Sequence, residues 1–594
     1  MQKLSGIFFS IILLIALGGS GWAQDETVTN LFKVAEDLPA YVEGELLVKY
    51  KPNVSSRAAD SQLEKLGIET VKEYGRINVV KCRLKAAARS ADQMTQVLEE
   101  LRKDPSIEYA EPNYIWRIYE TTPNDSRFSE QWAVKNTGQS GGFVDADIDA
   151  TDAWDVQRGS HDVIVGIIDT GIDYNHPDLQ ANIWKNPGES GNGKETNGVD
   201  DDGNGFVDDW RGWDFANNDN DPFDDNSHGT HVAGIIGAAG NNGQGVSGTN
   251  WQVSLVGLKF LKGNGSGTTD DAVEAILYAA QMGFPILSNS WGGGGFSQAL
   301  ADAIEAANQA GILFVAAAGN DGKNNDTSAN YPSNYTNANV LAIASSDRRD
   351  LRSSFSNYGK VTVDLAAPGS DILSTVPNGG YQEFSGTSMA TPYASGVAAL
   401  VKAQYPSADV QTLKYRLMGS VDPVNNFVDR TVTEGRLNAA KALSSDPLIT
   451  AEKHPGTADT QNDYDITAFI VDDGSIASAT LNYQFSGAGS GSGSAPMTAN
   501  GFEYTAAIPA QSTGTTVGYS VSATDDQGNT AQSRTLSFQV GGGAPPPPGG
   551  GGGCCGAAAM TVNTGNPYSD AMMTIGLNIL LFLGLPFYIY KRRK

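Results

Sequence analysis

Six short apolar runs between residues 162 and 366 constrain the fold of this chain more than any other feature of its sequence. The runs are Asp162–Ile168, Val253–Phe260, Phe284–Asn289, Ile312–Ala317, Val340–Ala344 and Val361–Ala366. Their apolar residues are nearly continuous rather than alternating, which is typical of strands buried on both faces. Because a loop and a helical stretch follow each run, the pattern predicts an α/β domain over residues 124–445, with helices covering both faces of a mostly parallel sheet. Active sites of such sheets lie at the carboxyl ends of the strands.

Three motifs at strand ends or in loops carry Asp, His and Ser. Asp169 lies in the segment Ile168–Asp173, His228 in Asn226–Gly234, and Ser388 in Gly386–Pro392. A serine hydroxyl becomes a good nucleophile when an imidazole accepts its proton, and a buried carboxylate must then orient the imidazole. Separations of 59 and 160 residues mean that only the fold can bring the three together. Each residue alone has a structural alternative, as a turn or helix cap or as a structural histidine, but together they favour nucleophilic catalysis.

The three motifs resemble those of the subtilisin family of serine proteases, and the resemblance extends over residues 124–445. It implies a subtilisin-like three-layer domain that hydrolyses peptide bonds. It also implies that Ser388 is the nucleophile, His228 the general base and Asp169 the carboxylate that orients the base. His231, three residues later on the same predicted helix, has no catalytic role in this family pattern.

Two further segments gain a role through the same resemblance. Asn320, in the segment Ala317-Ala318-Gly319-Asn320, matches the family's oxyanion donor and would act together with the backbone N–H of Ser388 at a helix N-terminus. Ser290, Trp291 and Gly292 follow another apolar run and resemble the family's substrate-binding strand, along which a peptide pairs through its backbone. Trp291 either walls a side-chain pocket or is an ordinary packing residue.

The acidic segment 200–209 predicts a calcium site. Oxygen-bearing side chains stand at loop positions 1, 3 and 5, a glycine at position 6 permits a sharp turn, and position 7 offers a carbonyl. The candidate ligands are Asp200, Asp202, Asn204, the carbonyl of Phe206, and either Asp208 or Asp209, because position 12 is Arg211 rather than Glu. Residues 200–225 contain ten Asp and one Arg, so that a cation would relieve their repulsion. A merely solvated acidic loop is the alternative.

A second calcium site is implied by the family resemblance alone. Its candidate ligands are Asp125 beside Asn124, Asp178, and Asn242, with backbone carbonyls near Gly240, Gln244 and Val246. The spacing of these residues would not reveal a site without the family.

The regions on either side of the catalytic domain differ from it in pattern. Residues 41–118 mix strand-like runs with helical spacing and predict a small α+β domain, whose end at Tyr109–Tyr114 resembles the end of the family's propeptide, a folding chaperone and inhibitor. Self-cleavage is therefore expected between about Trp116 and Asn124. Residues 446–540 alternate apolar and polar positions between turn signals and predict an all-β sandwich with a binding or spacing role.

Both ends of the chain point to the cell envelope. Residues 1–23 read as a signal peptide, with a short membrane anchor as the alternative. Residues 541–570 form a Gly/Pro linker that carries Cys554 and Cys555, and residues 571–590 are apolar and followed by four basic residues. This tail predicts a transmembrane helix, although it also resembles the cleaved sorting tails of some bacterial surface proteins.

The charge of the chain excludes one class of partner. With 40 Lys and Arg against 67 Asp and Glu, the net charge is −27, which is incompatible with a phosphate-binding surface for nucleic acid. The sequence thus predicts a secreted serine endopeptidase that is stabilised by calcium, inhibited by its own propeptide and tethered to a membrane by its tail. Its substrates would be proteins or peptides. A catalytically inactive surface adhesin that uses the protease fold as a scaffold is the alternative.

Overall fold

The computed structural model describes residues 41–51, 63, 66–84, 91–114 and 121–541. The chain forms two compact units, one that ends at Glu120 and one that begins at Thr121. The predicted signal peptide, most of the self-cleavage region, the Gly/Pro linker and the apolar tail lie outside the described residues. Among the residues that are described, no helix has the length and apolar character needed to cross a membrane.

The first unit is an antiparallel sheet with one helix. Its elements are β1 (Tyr41–Tyr50), β2 (Ile68–Tyr74), β3 (Val79–Leu84), α1 (Ala91–Lys103) and β4 (Ile107–Tyr114), and the strand order is β2-β3-β1-β4. The apolar stripe predicted from helical spacing is real, because Met94, Leu98 and Leu101 on α1 are buried in the core of the unit. Cys82 on β3 is buried in the same core.

A nine-stranded mixed sheet forms the centre of the second unit. Its strands are β5 (Gly159–Asp169), β6 (Gly212–Asp214), β7 (Gln252–Lys259), β8 (Ile286–Asn289), β9 (Leu313–Ala317), β10 (Val340–Ser346), β11 (Leu365–Pro368), β14 (Asp422–Pro423) and β15 (Gly435–Arg436). Their order is β14-β15-β11-β10-β9-β8-β5-β7-β6, and neighbours are parallel except for the pair β14–β15. All six predicted strands are therefore present in one sheet.

Helices cover both faces of this sheet. They are α2 (Ala150–Val156), α3 (His228–Gly237), α4 (Thr269–Met282), α5 (Gln298–Gln309), α6 (Thr387–Gln404), α7 (Val410–Gly419) and α8 (Ala439–Ala442). Alternate side chains of β5 enter two different cores, since Ile167 packs with α3 and α6 whereas Ile168 packs with α4 and α5. Burial on both faces is the reason that these strands lack an alternating pattern.

Two smaller sheets follow the α/β domain, and the hairpin β12 (Ile372–Val376) and β13 (Gly380–Phe384) precedes α6. The strands are β16 (Leu448–Ala451), β17 (Tyr464–Val471), β18 (Ile476–Gly487), β19 (Gly491–Pro496), β20 (Thr498–Asn500), β21 (Glu503–Ile508), β22 (Thr515–Asp525), β23 (Thr530–Gln532) and β24 (Leu536–Gln539). One sheet has the order β16-β17-β21-β20, and the other has β19-β18-β22-β23 with β24 beside β22. Tyr415 of α7 stacks on Phe469 of β17, with ring centroids 4.3 Å apart, so the sandwich packs directly on the α/β domain.

The predicted start of β11, at Val361, is wrong. Val361 is 70% exposed and the strand begins only at Leu365, because the backbone N–H groups of residues 360–362 donate to the Asp326 carboxylate instead of to a neighbouring strand. The strands β6, β14 and β15 were not predicted from the sequence. Strands of two or three residues are too short to show a period.

Candidate active site

The structure joins Asp169 and His228 directly. Asp169 is the last residue of β5 and is fully buried, and His228 is the first residue of α3. Their Oδ1 and Nδ1 atoms lie 2.7 Å apart, while Oδ1 also accepts from the backbone N–H of Thr170 at 2.8 Å. Burial lowers the pKa of His228, but the charge and hydrogen bond of Asp169 outweigh this, so the pKa lies above its ordinary value.

Ser388 is the second residue of α6, which packs against α3. Its hydroxyl donates to the carbonyl of Ser290 at 3.0 Å, and the Ser290 hydroxyl donates back to the carbonyl of Ser388 at 2.8 Å. Within residues 121–541, Nε2 of His228 has no hydrogen-bond partner. The hydrogen bond between Ser388 and His228 is therefore absent from this conformation, as is common for catalytic contacts in substrate-free proteases.

Asn320 lies beside the start of the same helix. Its Oδ1 accepts from the backbone N–H of Thr387 at 2.8 Å and from the Thr387 hydroxyl at 2.9 Å. These bonds fix the amide so that Nδ2 is directed elsewhere, and Nδ2 has no acceptor in the part of the chain that the structure describes. A Cβ built on Gly386 would lie 3.5 Å from both Nδ2 of Asn320 and the backbone N of Ser388. Two unused donors thus lie at Ser388, which is the arrangement that an oxyanion would require there.

The segment that follows β8 leaves the sheet beside the nucleophile. Ser290 is buried against Ser388, whereas Gly292 is exposed and a Cβ there would lie 3.1 Å from the side chain of Asn330. The Trp291 ring packs edge-on against Phe260 at 4.8 Å, and its Nε1 is buried without a partner among residues 121–541. Trp291 therefore makes the packing contact that was one of its two predicted roles, and its backbone remains unpaired.

Comparison with known proteins places this geometry in a family. The subtilase family profile matches residues 160–443, and the profile of the fervidolysin N-terminal prodomain matches residues 33–113. A thermophilic serine proteinase from Bacillus sp. (strain AK1) is 35% identical over 393 residues, which cover 66% of this chain and 86% of the relative. The chain belongs to the subtilase family. It is a serine endopeptidase with an N-terminal prodomain, and a mixed subtilisin-like sheet carries its site.

Two other relatives extend the comparison of this subtilase. Thermitase from Thermoactinomyces vulgaris is 39% identical over 325 residues, covering 54% of this chain and 99% of thermitase. A cell wall-associated protease of Bacillus subtilis (strain 168) is 34% identical over 342 residues, covering 57% of this chain and 34% of that protease. A protease with a prodomain acts on peptides and is inhibited by that prodomain, in agreement with the prediction from sequence.

The predicted calcium loop of the subtilase brings together only part of its predicted ligand set. Ligand oxygens of Glu189, Asp200 and Asp202 all lie within 4.8 Å of one another. The Asp208 carboxylate instead accepts from the backbone N–H of Gly198 and lies outside this group. Asp209 accepts from the side chains of Asn186, Asn204 and Tyr278. The structure therefore brings neither Asp208 nor Asp209 into the group.

Glu189 is the member of this group that sequence reasoning missed. It is fully buried, and its Oε1 accepts from the backbone N–H groups of Asp201 and Asp202 at 2.5 and 3.1 Å. Its Oε2 is buried and has no donor among residues 121–541. Burial raises the pKa of Glu189, and the charges of Asp209 and Asp202 raise it further. No motif marks Glu189, since it stands eleven residues before the loop.

The second predicted cation site is also brought together in space. Asp178 is fully buried, and its Oδ1 accepts from the Asn242 side chain at 2.7 Å. Asp125 accepts from the backbone N–H of Asn241 at 2.6 Å. Burial, with the charge of Asp178, raises the pKa of Asp125 to about 6, and burial also raises the pKa of Asp178. Two buried carboxylates from separate segments that both contact residues 241–246 fit a cation.

Proposed function

We propose that this subtilase is a secreted, calcium-stabilised endopeptidase that cleaves peptide bonds through Asp169, His228 and Ser388. The observation that carries the proposal is the 2.7 Å contact between Asp169 and His228, on a helix that packs against α6, the helix of Ser388. One relative is named as a cell wall-associated protease, which supports a location outside the cytoplasm.

The reaction is acyl transfer. The Ser388 hydroxyl, released from the Ser290 carbonyl, attacks the scissile carbonyl carbon while Nε2 of His228 accepts its proton. Asp169 stabilises the imidazolium through Nδ1–H, and the proton then passes to the leaving amine. Water hydrolyses the acyl-enzyme by the same route in reverse.

The negative charge of the tetrahedral intermediate would be met by two donors. They are Nδ2 of Asn320, whose Oδ1 is held by Thr387, and the backbone N–H of Ser388. Because these donors are fixed before the reaction, they stabilise the transition state without having to reorganise. The unpaired backbone beyond Ser290 supports the proposal that a substrate strand pairs along residues 290–292.

The fit of a calcium ion rests on unsatisfied carboxylate oxygens. Glu189, Asp200 and Asp202 would hold one ion, and the orphaned Oε2 of Glu189 is the ligand that supports this set. Asp125 and Asp178 would hold another. In each case the ion supplies positive charge that stabilises the folded state and takes no part in the chemistry.

Several further features of the proposed enzyme rest on sequence. They are secretion by residues 1–23, self-cleavage between about Trp116 and Asn124, a catalytic domain at 124–445 and a sandwich at 446–540. Anchoring by residues 571–590, or through Cys554 and Cys555, concerns residues outside the described part of the chain and stays a prediction.

Ser388→Ala tests the proposal. Removal of the nucleophile should lower the turnover of a peptide substrate by about 10⁶-fold and prevent release of the prodomain. Ser395→Ala is the control, because its hydroxyl lies on the same helix and donates only to the carbonyl of Thr391. Peptide hydrolysis, fluorophosphonate labelling and mass spectrometry provide the measurements. A Ser388→Ala protein that hydrolyses peptide at the rate of the control would refute the assignment.

A further inference from the structure

A second buried carboxylate lies beside the catalytic histidine. Asp224 is 1% exposed and belongs to the loop that precedes α3. It accepts five hydrogen bonds: from the Thr170 hydroxyl at 2.9 Å, from the backbone N–H groups of Asn226, Ser227 and Thr230 at 2.9 Å each, and from the Thr230 hydroxyl at 2.6 Å. Among the ten Asp of residues 200–225, the sequence did not distinguish it.

Asp224 caps the N-terminus of α3, the helix that carries His228. The residue at the cap position, Ser227, has a left-handed φ of 102° and its side chain makes no capping bond. The Asp224 carboxylate instead binds the backbone N–H groups of Ser227 and Thr230 in the first turn. Negative charge is stabilising at the N-terminus of a helix, and this contact fixes where α3 begins.

The same carboxylate reaches the strand end that carries Asp169. Thr170 donates its hydroxyl to Asp224 and accepts on that hydroxyl from the backbone N–H of Gly229 at 2.8 Å. Its own N–H donates to Asp169. A Cβ on Gly229 would lie 2.1 Å from the carbonyl oxygen of Gly171, so helix and strand end are in close contact. One hydroxyl therefore connects the elements that hold Asp169 and His228.

The charged groups around this network are few and identifiable. Lys259 at the end of β7 is 2% exposed, and its Nζ donates to the carbonyls of Thr170 and Leu261 and to the carboxylate of Asp225. Asp169 faces the network from β5 and His228 from α3. Asp173 is buried in the loop after β5, where its N–H donates to the Thr230 hydroxyl. Beside the larger effect of Asp169, the charge of Asp224 contributes to the raised pKa of His228.

We propose that Asp224 is a positioning residue of this protease. Through Thr170 and the first turn of α3 it holds Asp169 and His228 at hydrogen-bond distance, and its negative charge stabilises the imidazolium that forms during catalysis. The inference rests on the proposed roles of Asp169, His228 and Ser388.

Asp224→Asn is the first test, with Asp221→Asn as the matched control in the same loop. An amide cannot accept all five bonds and carries no charge, so kcat should fall about 10- to 100-fold at an unchanged KM. The acid limb of the pH profile of kcat/KM should move to lower pH, because His228 loses a neighbouring charge. The control Asp221→Asn should keep the wild-type kcat and the wild-type acid limb, because Asp221 is exposed and accepts only from the Tyr174 hydroxyl.

Thr170→Val and Thr170→Ser keep the inference testable if Asp224→Asn does not fold. Valine removes the bridging hydroxyl but leaves the charge, so kcat should fall while the acid limb stays in place. Serine restores the hydroxyl and should restore kcat.

Three outcomes would overturn the inference. They are an Asp224→Asn enzyme with wild-type kcat and acid limb, an Asp224→Asn enzyme that only loses thermal stability, and a Thr170→Ser enzyme no more active than Thr170→Val. The proposed function fails separately, through activity of Ser388→Ala.

Discussion

Asp224 beside the proposed triad and Glu189 in the candidate calcium loop are both buried carboxylates, but the fold satisfies them to different degrees. Beside the proposed triad, Asp224 receives five hydrogen bonds from the chain itself. Asp169 pairs with the His228 imidazole through Oδ1, while its Oδ2 is buried and has no donor among residues 121–541. In the loop, one oxygen of the buried Glu189 has no donor among residues 121–541, although two other acidic side chains lie close to it.

This contrast separates a charge that the fold satisfies from a charge that the proposed ion would satisfy. Unpaired buried charge is costly, so a carboxylate with an unused oxygen is stabilised when a proton or a cation joins it. For Asp169 the chain itself supplies that cation, the imidazolium of His228, whereas Glu189 has acidic side chains beside it. The activity of the proposed site should therefore depend on the side chains of this protein alone. The stability of the candidate calcium loop should depend on the calcium concentration of the solution. Three experiments test that division.

The largest of these three effects is expected on kcat, when the donors of the proposed oxyanion site meet the negative charge that forms only during the reaction. Asn320→Ala should lower kcat by roughly 10² to 10³ with little change in KM, because its amide is needed mainly when the oxyanion forms. Asn320→Asp is the informative companion, since it can still accept from Thr387 but offers no Nδ2 donor. Steady-state kinetics decide the matter. A loss confined to KM, or full activity in the Asp variant, would contradict the oxyanion role.

The sequence predicted the elements of this site that chemistry restricts to particular residue types. Asp169, His228, Asn320 and Ser388 lie in short local motifs, and two of these motifs stand at or just after the end of a continuous apolar run, Asp169 on β5 and Asn320 after β9. Such features survive in sequence because burial and nucleophilic catalysis each tolerate few alternatives.

What the sequence did not predict depends on contacts between distant segments. Glu189 reaches the candidate calcium loop because its own loop folds back, so that its carboxylate accepts from the backbone N–H groups of residues 201 and 202. Asp224 is distinguished by five hydrogen bonds, one of them from Thr170, 54 residues away. The two-residue strands β14 and β15 show no periodicity at all. Side-chain partners of this kind follow from the fold and leave no local pattern.

Calcium removal should give the second effect, and it should act on stability rather than on chemistry. An ion that binds only the folded state stabilises it by about 2.7 kcal/mol when its concentration is 100 times Kd. EDTA should therefore lower the Tm of the wild type, and Glu189→Gln should lose most of the difference that one ion makes. Asp201→Asn is the control, because its carboxylate lies in the loop but outside the group of three.

Calorimetry with EDTA and with millimolar calcium measures both variants. The folded Glu189→Gln enzyme should keep the wild-type kcat. Equal wild-type Tm values under the two conditions would argue against any structural calcium and would remove the contrast between the two regions.

The smallest effect is expected on the pH at which His228 becomes protonated and can no longer act as the base. Burial lowers the pKa of His228, and the charge and hydrogen bond of Asp169 together with the charge of Asp224 raise it by more, so the folded pKa lies above the ordinary 6.5. His228 must be neutral to accept the Ser388 proton, and kcat/KM should therefore fall as pH drops through this raised pKa. Since Asp169 belongs to the chain, the acid limb should keep its position in Glu189→Gln and after EDTA treatment, measured well below the Tm of each sample. His161→Gln, at an exposed histidine, should leave it unchanged as well. An acid limb centred at or below pH 6.5 would show that burial has a larger effect on the pKa of His228 than Asp169 has. An acid limb that moves when calcium is removed would show that the active site and the candidate calcium loop are electrostatically coupled.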